Sequence, residues 1–444
     1  GYGGTAASAP LGASSAGGGS VAAAASAATA TQAKAAAAGA TSKPSPSLPS
    51  NLTLVRSVGK GAYGEVYLCT DAVRKEKVAV KWIRNFVKDP LCGKRILREI
   101  RLLASMRHDN LLKLIDLLPV PNPDFEDVYL VMPYMDIDLQ KAIYSKMALS
   151  ERHCQAFVCQ ILRGLNYLHS AGIVHRDLKP ANIVVNENCT LRIADFGLAR
   201  GRATVDEELT GYVVTRWYRA PELLLCPQGG YFEAVDLWSA GCIQAEIKAR
   251  RVLFNGQNHA DMLCRIARTL GFSMNTDLEW LPVADQEQVR RMLETIKLPE
   301  HSCEGEALED FVPSASESFL DLLRKFLEKN PTKRITAADA LAHPYIAHLR
   351  DPKGETTAPC PFAWDFDSGW EPTKRALQDR VYGECVRYHP EIVARDAEWL
   401  SARGFMPQKR ATATPVKATP QERQAPAPAP RPEAQGQHAV STTS

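Results

Sequence analysis

Three polar side chains in the segment 173–200, those of Asp177, Asn182 and Asp195, could supply the oxygen atoms of one reaction centre. Two short apolar, β-prone runs lie between them, which predicts a loop, a hairpin and a second loop that emerges beside the first. Two carbonyl or carboxylate oxygens suit a hard divalent cation, and a further carboxylate is left to accept a proton. We therefore expect one centre that combines metal binding with proton transfer.

A glycine-rich turn far upstream could bind phosphate oxygens. Alternating apolar and polar residues over 52–71 and 77–83 predict antiparallel strands, and the turn between the first two strands reads GKGAYGEV over 59–66. Glycines at this spacing let backbone amides approach phosphates closely, but the pattern also fits an ordinary hairpin or a dinucleotide fold. A strand follows the turn here instead of a helix, which argues against the dinucleotide fold.

A lysine and a glutamate could act together on the same phosphates. Lys81 ends the strand VAVK, and helical spacing over 93–106 places Glu99 on the helix that follows. A glutamate there can hold an otherwise mobile lysine against phosphate oxygens. The alternatives are a plain edge-strand lysine and a surface ion pair between Glu99 and some other cation.

A connector between two lobes is predicted at 133–137. Pro133 removes a backbone donor where the strand that begins at 127 should end. Asp138 begins the next helix, either as its cap or as a ligand for a ribose hydroxyl. Apolar residues at helical spacing over 155–170 then predict a long buried helix that leads directly into the reaction centre.

The composition argues against several classes of protein. The chain has 444 residues and a formal net charge of +3, which gives no broad basic face, so we expect no nucleic-acid partner. Eleven cysteines without CxxC pairing predict reduced thiols in a cytoplasmic and nuclear protein. No stretch has the roughly 18 apolar residues that a membrane helix needs, so we expect no membrane partner.

Both ends of the chain are biased in composition and are expected to be disordered. The first is rich in Ala, Gly, Ser and Thr and the last in Pro, Ala, Gln and Thr, so neither can bury enough apolar surface to offset its ordering entropy. The expected organisation is a disordered segment over 1–50, a main domain over 51–346 with lobes 51–133 and 134–346, a C-terminal extension over 347–406, and a disordered tail over 407–444.

Taken together, the motifs resemble those of a eukaryotic protein kinase from Leu52 to about residue 405. GKGAYGEV, VAVK, HRDLKPAN, DFG and APE occur in the order of that family. The resemblance implies an α+β, two-lobed protein kinase fold, with a small β-rich N-lobe that holds one main helix and a large, mostly helical C-lobe. A pseudokinase is the alternative, but the residues that such proteins usually lack, Lys81, Asp177 and Asp195, are all present.

The resemblance also implies ATP and Mg²⁺ as cofactors. Amides around the glycine turn would cover the phosphates, and Lys81, held by Glu99, would contact the α- and β-phosphates. Asp195 would hold the Mg²⁺ that bridges the β- and γ-phosphates, and Asn182 the second ion. Met132 is the expected gatekeeper. The residues expected to line the nucleotide site are Val58, Gly59, Lys60, Gly61, Ala62, Tyr63, Gly64, Val66, Ala79, Lys81, Glu99, Met132, Pro133, Met135 and Asp138.

Two further residues would act on the substrate. Asp177 would orient its hydroxyl and accept the proton, while Lys179 would neutralise charge on the γ-phosphate. The form HRDLKPxN resembles Ser/Thr kinases and not tyrosine kinases. Catalysis would then be mainly positioning and charge neutralisation around an in-line, loose transition state.

The sequence after the DFG motif resembles the mitogen-activated protein kinases. Thr210-Gly211-Tyr212 followed by VVTRWYRAPE is similar to their activation lip, which an upstream dual-specificity kinase phosphorylates twice; the alternative is a plain polar turn. Each phosphate would add close to two negative charges and need arginine partners. Those expected are Arg98, Arg176 and Arg200 for phosphothreonine, and Arg216 and Arg219 for phosphotyrosine. The stretch 217–222 is similar to a pocket for proline after the phosphorylated Ser or Thr.

The C-terminal sequence resembles a docking segment and an extension that packs back on the small lobe. Acidic residues are common at both ends of the docking turn, and here Asp351 and Glu355 flank Lys353-Gly354. The acidic patch is therefore thin, and we expect weak or altered binding of basic docking peptides. The expected partners are substrates with Ser/Thr-Pro sites, phosphatases and docking-motif proteins, around a monomeric kinase.

Two other functions compete with this interpretation. A cyclin-dependent-like kinase would need a regulatory subunit, but the helix around Glu99 lacks the PSTAIRE-like text and the lip has TGY instead of a single threonine. A kinase-fold scaffold would bind ATP without turnover, but no catalytic position has been lost.

Overall fold

The computed structural model describes residues 45–61, 64–201, 215–226, 232–296 and 307–404. The chain divides into two units, 1–50 and 51–444, and every described helix and strand belongs to the second. Of the ends expected to be disordered, only 45–50 are described, as irregular chain, and the others lie outside the described residues.

The small lobe is a five-stranded antiparallel sheet with the strand order β1-β2-β3-β5-β4. The predicted antiparallel strands are present, and β3 pairs in regular register with β2 and β5. The burial of β3 does not alternate, since Val78, Ala79 and Val80 are all buried. The strands are β1 Leu52–Lys60, β2 Glu65–Asp71, β3 Glu76–Ile83, β4 Asp116–Leu117 and β5 Val128–Pro133. The prediction that this sheet ends at a connector near Pro133 is confirmed.

One main helix packs on this sheet, as predicted. Helix α1 runs over Pro90–Ser105 and begins three residues earlier than the apolar periodicity indicated. The Asp89 side chain accepts hydrogen bonds from the backbone N–H groups of Leu91 and Cys92, and Pro90 occupies the first helical position. These start signals, not the apolar spacing, set the beginning of the helix.

The large lobe is mainly helical. Its core contains α3, which has polar and buried faces, and α5, which is buried on almost all sides because it lies at the centre of the lobe. Its helices are α2 Leu139–Tyr144, α3 Glu151–Ser170, α4 Pro221–Leu225, α5 Ala234–Ala249, α6 His259–Leu270, α7 Val283–Thr295, α8 Leu308–Phe311, α9 Glu317–Phe326 and α10 Ala337–Leu341.

Short strands frame the reaction centre predicted from the sequence. Strands β8 (Ile183–Val185) and β9 (Leu191–Ile193) form an antiparallel hairpin, with β6 (Ile137–Asp138) on the other side of β8. Strand β7 (Ile173–Val174) pairs with β10 (Arg200–Gly201), which joins the two ends of the segment. The predicted sequence of loop, hairpin and second loop is confirmed.

The C-terminal extension packs back on the small lobe, as predicted. Helix α11, over Lys374–Tyr388, lies against α1 so closely that a Cβ added to Gly93 would come within 2.5 Å of Leu377 Cδ1. Helices α12 (Ile392–Arg395) and α13 (Ala397–Arg403) follow it. Among the described helices none is both long and apolar enough to cross a membrane.

Candidate active site

Asp177 lies between two donors that come from the next turn of the chain. The Lys179 Nζ donates a hydrogen bond to Asp177 Oδ2 at 2.7 Å, and the Asn182 Nδ2 donates to the same oxygen at 2.9 Å. Asn182 Nδ2 also donates to the Asp177 main-chain carbonyl at 2.8 Å. Since both contacts to the carboxylate fall on Oδ2, Oδ1 is the oxygen left to accept a proton.

A buried aspartate of helix α5 holds this loop in place. Asp236 Oδ2 accepts hydrogen bonds from the His175 backbone N–H at 2.8 Å and from His169 Nε2 at 3.0 Å, while Oδ1 accepts from the Arg176 backbone N–H at 2.8 Å. Burial alone would raise the pKa of Asp236, but the hydrogen bond from His169 and the nearby imidazoles lower it overall. The partners of Asp236 lie 60 to 67 positions away in the chain, so local sequence pattern does not indicate this role.

His175 joins the catalytic loop to the second loop. Its Nε2 lies 3.0 Å from the carbonyl oxygen of Ala194, and its ring meets Phe196 edge-on with 5.3 Å between centroids. The Ala194 backbone N–H donates to the Asn182 carbonyl at 2.8 Å. These contacts fix the residues on both sides of Asp195, whose backbone has a φ of +62°. The structure therefore brings the DFG loop beside the catalytic loop.

The predicted pair of Lys81 and Glu99 is formed. Lys81 Nζ lies 2.6 Å and 2.8 Å from the two carboxylate oxygens of Glu99, and both side chains are nearly buried. Burial raises the pKa of Glu99, the Lys81 ammonium opposes that effect, and the charge of Asp195 adds to it. Asp195 is therefore close enough to interact electrostatically with this ion pair. A plain edge-strand lysine, or a surface pair between Glu99 and another cation, would not require Asp195 to be near.

The glycine turn joins β1 to β2. Gly59 pairs with Val66, and the Gly61 N–H donates to the Gly64 carbonyl at 2.7 Å. Gly59 has open space where a Cβ would stand, whereas a Cβ at Gly64 would lie 2.2 Å from the Trp82 carbonyl oxygen. Gly64 is therefore required by packing against β3, a role that sequence spacing alone did not reveal. Ala62 and Tyr63 lie outside the described residues.

The other described residues predicted to line the nucleotide site lie on the strands of the small lobe and on the connector that follows them. Ala79 on β3 pairs with Met132 on β5, and both are buried. Asp138 Oδ1 accepts a hydrogen bond from the Lys141 backbone N–H at 2.8 Å, so Asp138 caps α2. Met135 is buried, whereas Val58, Val66 and Pro133 are partly buried and Lys60 is exposed.

The donor chemistry around Asn182 and Asp195 fits Mg²⁺. Because the amide nitrogen of Asn182 faces Asp177, its Oδ1 is the atom that remains for a cation. One carboxylate and one amide oxygen suit Mg²⁺, which keeps several waters and takes phosphate oxygens as its remaining ligands.

Arg98 contacts both the DFG loop and the C-terminal extension. Its Nη1 donates to the Gly197 carbonyl at 3.0 Å, and its Nε and Nη2 donate to Asp367 Oδ1 at 3.1 and 2.8 Å. The Arg98 side chain is 1% exposed. The sequence predicted Arg98 as a partner of phosphothreonine, and its contact with Asp367 was not foreseen.

The other arginines that are predicted to bind phosphate lie on both sides of residues 202–214 in the sequence. Arg176 and Arg200 are buried, and Arg200 belongs to the strand that pairs with β7. The Arg219 N–H donates to the Arg216 carbonyl at 3.0 Å. Burial lowers the pKa of His259, and the charges of Arg216 and Arg219 lower it further, which places both arginines near that imidazole. Thr210 and Tyr212 lie outside the described residues.

Comparison with known proteins identifies the family to which the chain belongs. The family model of the protein kinase domain matches residues 52–346. The chain is 42% identical over 344 residues to mitogen-activated protein kinase 7 of Arabidopsis thaliana, which covers 77% of this chain and 91% of that protein. It is 42% identical over 341 residues to mitogen-activated protein kinase 4 of Oryza sativa subsp. japonica, covering 77% and 90%. For extracellular signal-regulated kinase 1 of Dictyostelium discoideum the identity is 40% over 348 residues, covering 78% and 64%.

Proposed function

The chain belongs to the mitogen-activated protein kinases, a group of Ser/Thr protein kinases, and we propose that it transfers the γ-phosphate of ATP to Ser or Thr followed by Pro. The observation that carries the proposal is the position of Asp177 between Lys179 and Asn182, with the Lys81–Glu99 pair formed in the same site. This arrangement contains the side chains that phosphoryl transfer needs.

Each residue of the site has a separate role in the proposed reaction. Asp177 orients the substrate hydroxyl and accepts its proton at Oδ1, while Lys179 meets the charge on the transferred phosphoryl oxygens. Lys81, fixed by Glu99, holds the α- and β-phosphates. Bound MgATP supplies the phosphoryl group and neutralises part of its charge, and Asn182 and Asp195 would hold the metal.

We propose that phosphorylation of Thr210 and Tyr212 by an upstream dual-specificity kinase activates the chain. Support comes from two buried arginines on different elements, since Arg98 belongs to α1 of the small lobe and Arg176 follows β7 of the large lobe. A phosphate between two such residues would connect the lobes and order the lip through charge-assisted hydrogen bonds.

The preference for proline is proposed from the segment that follows the lip. Trp217 Nε1 donates to the Gly256 carbonyl at 3.1 Å, and the Tyr218 hydroxyl donates to Glu246 at 2.6 Å. Glu222, in the APE motif, forms a buried two-point ion pair with Arg334. This framework is rigid enough to select a substrate by shape, and a proline, which has no backbone N–H, would need no acceptor there.

A comparison of matched peptides tests the proposal. The full chain, with MgATP, would be assayed on a Ser-Pro peptide and on the same peptide with Ser-Ala, before and after treatment with a dual-specificity kinase. We expect transfer mainly to Ser-Pro, an increase after treatment, and phosphate on Thr210 and Tyr212 by mass spectrometry. Equal use of the two peptides would overturn the proline preference, and full activity of a Thr210→Ala, Tyr212→Phe variant would overturn the activation scheme.

A further inference from the structure

A groove lined by cations lies away from the catalytic residues. Two adjoining cavities, of about 520 and 280 Å³, share Arg107, Lys113 and Arg192 in their walls and therefore form one groove. Of the described residues that are predicted for the nucleotide site, only Pro133 borders it. The cationic side chains of this basic groove are Arg74, Arg107, Lys113, Arg192 and Lys353.

The positive charge of the basic groove is only partly balanced. Two acidic residues, Glu76 and Asp109, contribute to its walls, and Arg74 forms an ion pair with Asp71 at 2.7 Å. Among the described residues, no carboxylate lies within ion-pair distance of the other four cations. Like charges brought together in this way repel one another, and an anion in the groove would relieve that repulsion.

Arg192 is the most constrained of these cations. It stands on strand β9, where its Nε donates to the Asp109 carbonyl at 3.2 Å and its Nη1 approaches the Met135 sulfur at 3.8 Å. Burial lowers its pKa, an effect that the nearby Asp109 charge opposes. A half-buried guanidinium has five N–H donors, and one carbonyl and one weak sulfur acceptor leave donors for a ligand in the groove.

One of the two carboxylates of the docking turn at the end of the groove is neutralised within the turn. Glu355 Oε2 accepts from Arg350 Nη2 at 2.7 Å, and Glu355 Oε1 accepts from the Asp351 backbone N–H at 3.1 Å. Asp351 in turn accepts from the Lys353 backbone N–H at 3.1 Å. The Glu355 side chain is 8% exposed. The turn therefore presents the Lys353 charge beside a single exposed carboxylate, that of Asp351, and not an acidic patch.

The scaffold of the groove is rigid. Lys113 follows Leu111, which forms a bridge to β9, and His108 Nε2 lies 3.1 Å from the carbonyl oxygen of Gly354. These contacts connect the three segments that supply Arg107 and Lys113, Arg192, and Lys353. A charged ligand would therefore meet side chains on a fixed frame, which lowers the entropy cost of binding.

We propose that the basic groove docks an acidic peptide segment of another protein, one with several Asp or Glu residues in succession. Charge complementarity selects this occupant. The ends of the chain do not supply it, since residues 1–44 contain two lysines and no acidic residue, and residues 405–444 contain five Lys or Arg against two Glu. The groove comprises two adjoining cavities and has apolar Leu111, Leu114 and Ile115 in its walls, which suits a peptide better than a small anion.

Direct binding of labelled peptides tests this inference without turnover. Fluorescence anisotropy would compare a short acidic peptide that lacks Ser, Thr and Tyr with its Asn/Gln and Lys counterparts, on the full chain with saturating MgADP. We expect the acidic peptide to bind most tightly, and Lys113→Glu and Lys353→Glu each to weaken it at least about fivefold. The matched control is Lys146→Glu, an equal charge change at an exposed lysine outside the groove, and less than about a twofold effect is expected.

Other outcomes decide between occupants. Tighter binding of an acidic peptide that carries phosphoserine supports the proposal and identifies the modification. Equal losses in Lys113→Glu and Lys146→Glu, or tighter binding of the Lys peptide, would overturn it. Displacement by equimolar inorganic phosphate or by a single-stranded oligonucleotide would also overturn it, in favour of a simple anion site or a nucleic-acid site. Because no catalysis is measured, any of these results leaves the kinase assignment untouched.

Discussion

At the scale of single residues, Asp236 shows how the catalytic loop is kept in an unusual conformation. Arg176 has a φ of +68°, a left-handed value that costs a non-glycine residue about 1–2 kcal/mol. The Asp236 carboxylate accepts the N–H groups of both His175 and Arg176 and so stabilises this conformation. Asp236 contacts no predicted substrate or cofactor group, and its role is to position the loop that carries Asp177.

We expect Asp236→Asn to destabilise the protein by about 2–4 kcal/mol. The substitution replaces one of the two carboxylate oxygens, which accept N–H groups, by an NH₂ group that can only donate. Activity should fall by about tenfold or more, since a small displacement of Asp177 misaligns the proton acceptor. Chemical denaturation and peptide phosphorylation measure these effects, with the exposed Asp310→Asn as the control. Equal stability of the two variants would contradict the role of Asp236.

The same residue predicts a dependence on pH. The pKa of Asp236 in the folded protein lies below its ordinary value of 3.8, so the unfolded state binds the proton first as the pH falls. The stabilisation by Asp236 is therefore complete above about pH 3.8 and is lost as the pH falls through the lower, folded-state pKa. We expect the difference in melting temperature between wild type and Asp236→Asn to shrink on acidification below that value. A constant difference across that range would contradict the lowered pKa.

At the scale of elements, the C-terminal extension holds helix α1 at several places, one of which is the ion pair between Arg101 and Glu384 at 2.7 Å. Leu377 of α11 packs on Gly93, and Asp367 pairs with Arg98, the neighbour of Glu99. Arg98 also donates to the Gly197 carbonyl of the DFG loop. The extension thus supports the helix that carries Glu99 and, through Arg98, the loop that carries Asp195.

Removing the charge of Asp367 should weaken the support that the extension gives to helix α1 and, through Arg98, to the DFG loop. We expect Asp367→Asn to lower the free energy of unfolding by about 1–3 kcal/mol, since it leaves a nearly buried guanidinium without its carboxylate. The kcat should fall while the KM for peptide changes less, because Arg98 positions Glu99 and the DFG loop and does not bind peptide. The exposed Glu371→Gln is the control of equal charge change. Indistinguishable kcat values for the two variants would refute this coupling.

The helix contact itself is tested by two glycine substitutions. A Cβ at Gly93 would lie 2.5 Å from Leu377 Cδ1 and 2.9 Å from the Phe86 carbonyl oxygen, so Gly93→Ala should destabilise by about 1–3 kcal/mol. Gly383, within α11, has nothing within 4 Å of that position, so Gly383→Ala should stabilise by about 0.5–1 kcal/mol through helix propensity alone. Thermal unfolding measures both, and equal shifts of the same sign would contradict the close packing of α1 on α11.

At the scale of the whole molecule, the structural features that could be predicted from the sequence are those that depend on local residue patterns. The hairpin between Asn182 and Asp195 followed from two β-prone runs, and the helix before the catalytic loop followed from apolar spacing. The contact between Arg98 and Asp367 could not be predicted in this way, because 269 positions separate the two residues. The close approach of Gly64 to the Trp82 carbonyl depends on how two strands meet, which spacing does not encode.

The basic groove also depends on the whole fold. Its cations come from four segments, around 74, 107–113, 192 and 353, which lie far apart in the chain. A net charge of +3 gave no sign of a basic surface, because the excess is local and arises only when the segments meet. The thin acidic docking turn was visible in the sequence, but the pairing of Glu355 with Arg350 was not.

The central claim is that Asp177, positioned by Lys179 and Asn182, accepts the proton of a substrate hydroxyl during phosphoryl transfer. The most direct measurement is the rate of phosphate transfer from ATP to a Ser-Pro peptide by the full chain and by its Asp177→Asn variant, both treated with the same activating kinase. We expect the variant to be slower by on the order of 10²–10⁴-fold while its binding of MgATP and its melting temperature stay close to those of wild type. A variant with the activity of wild type would contradict the assignment of Asp177 and the account of the site.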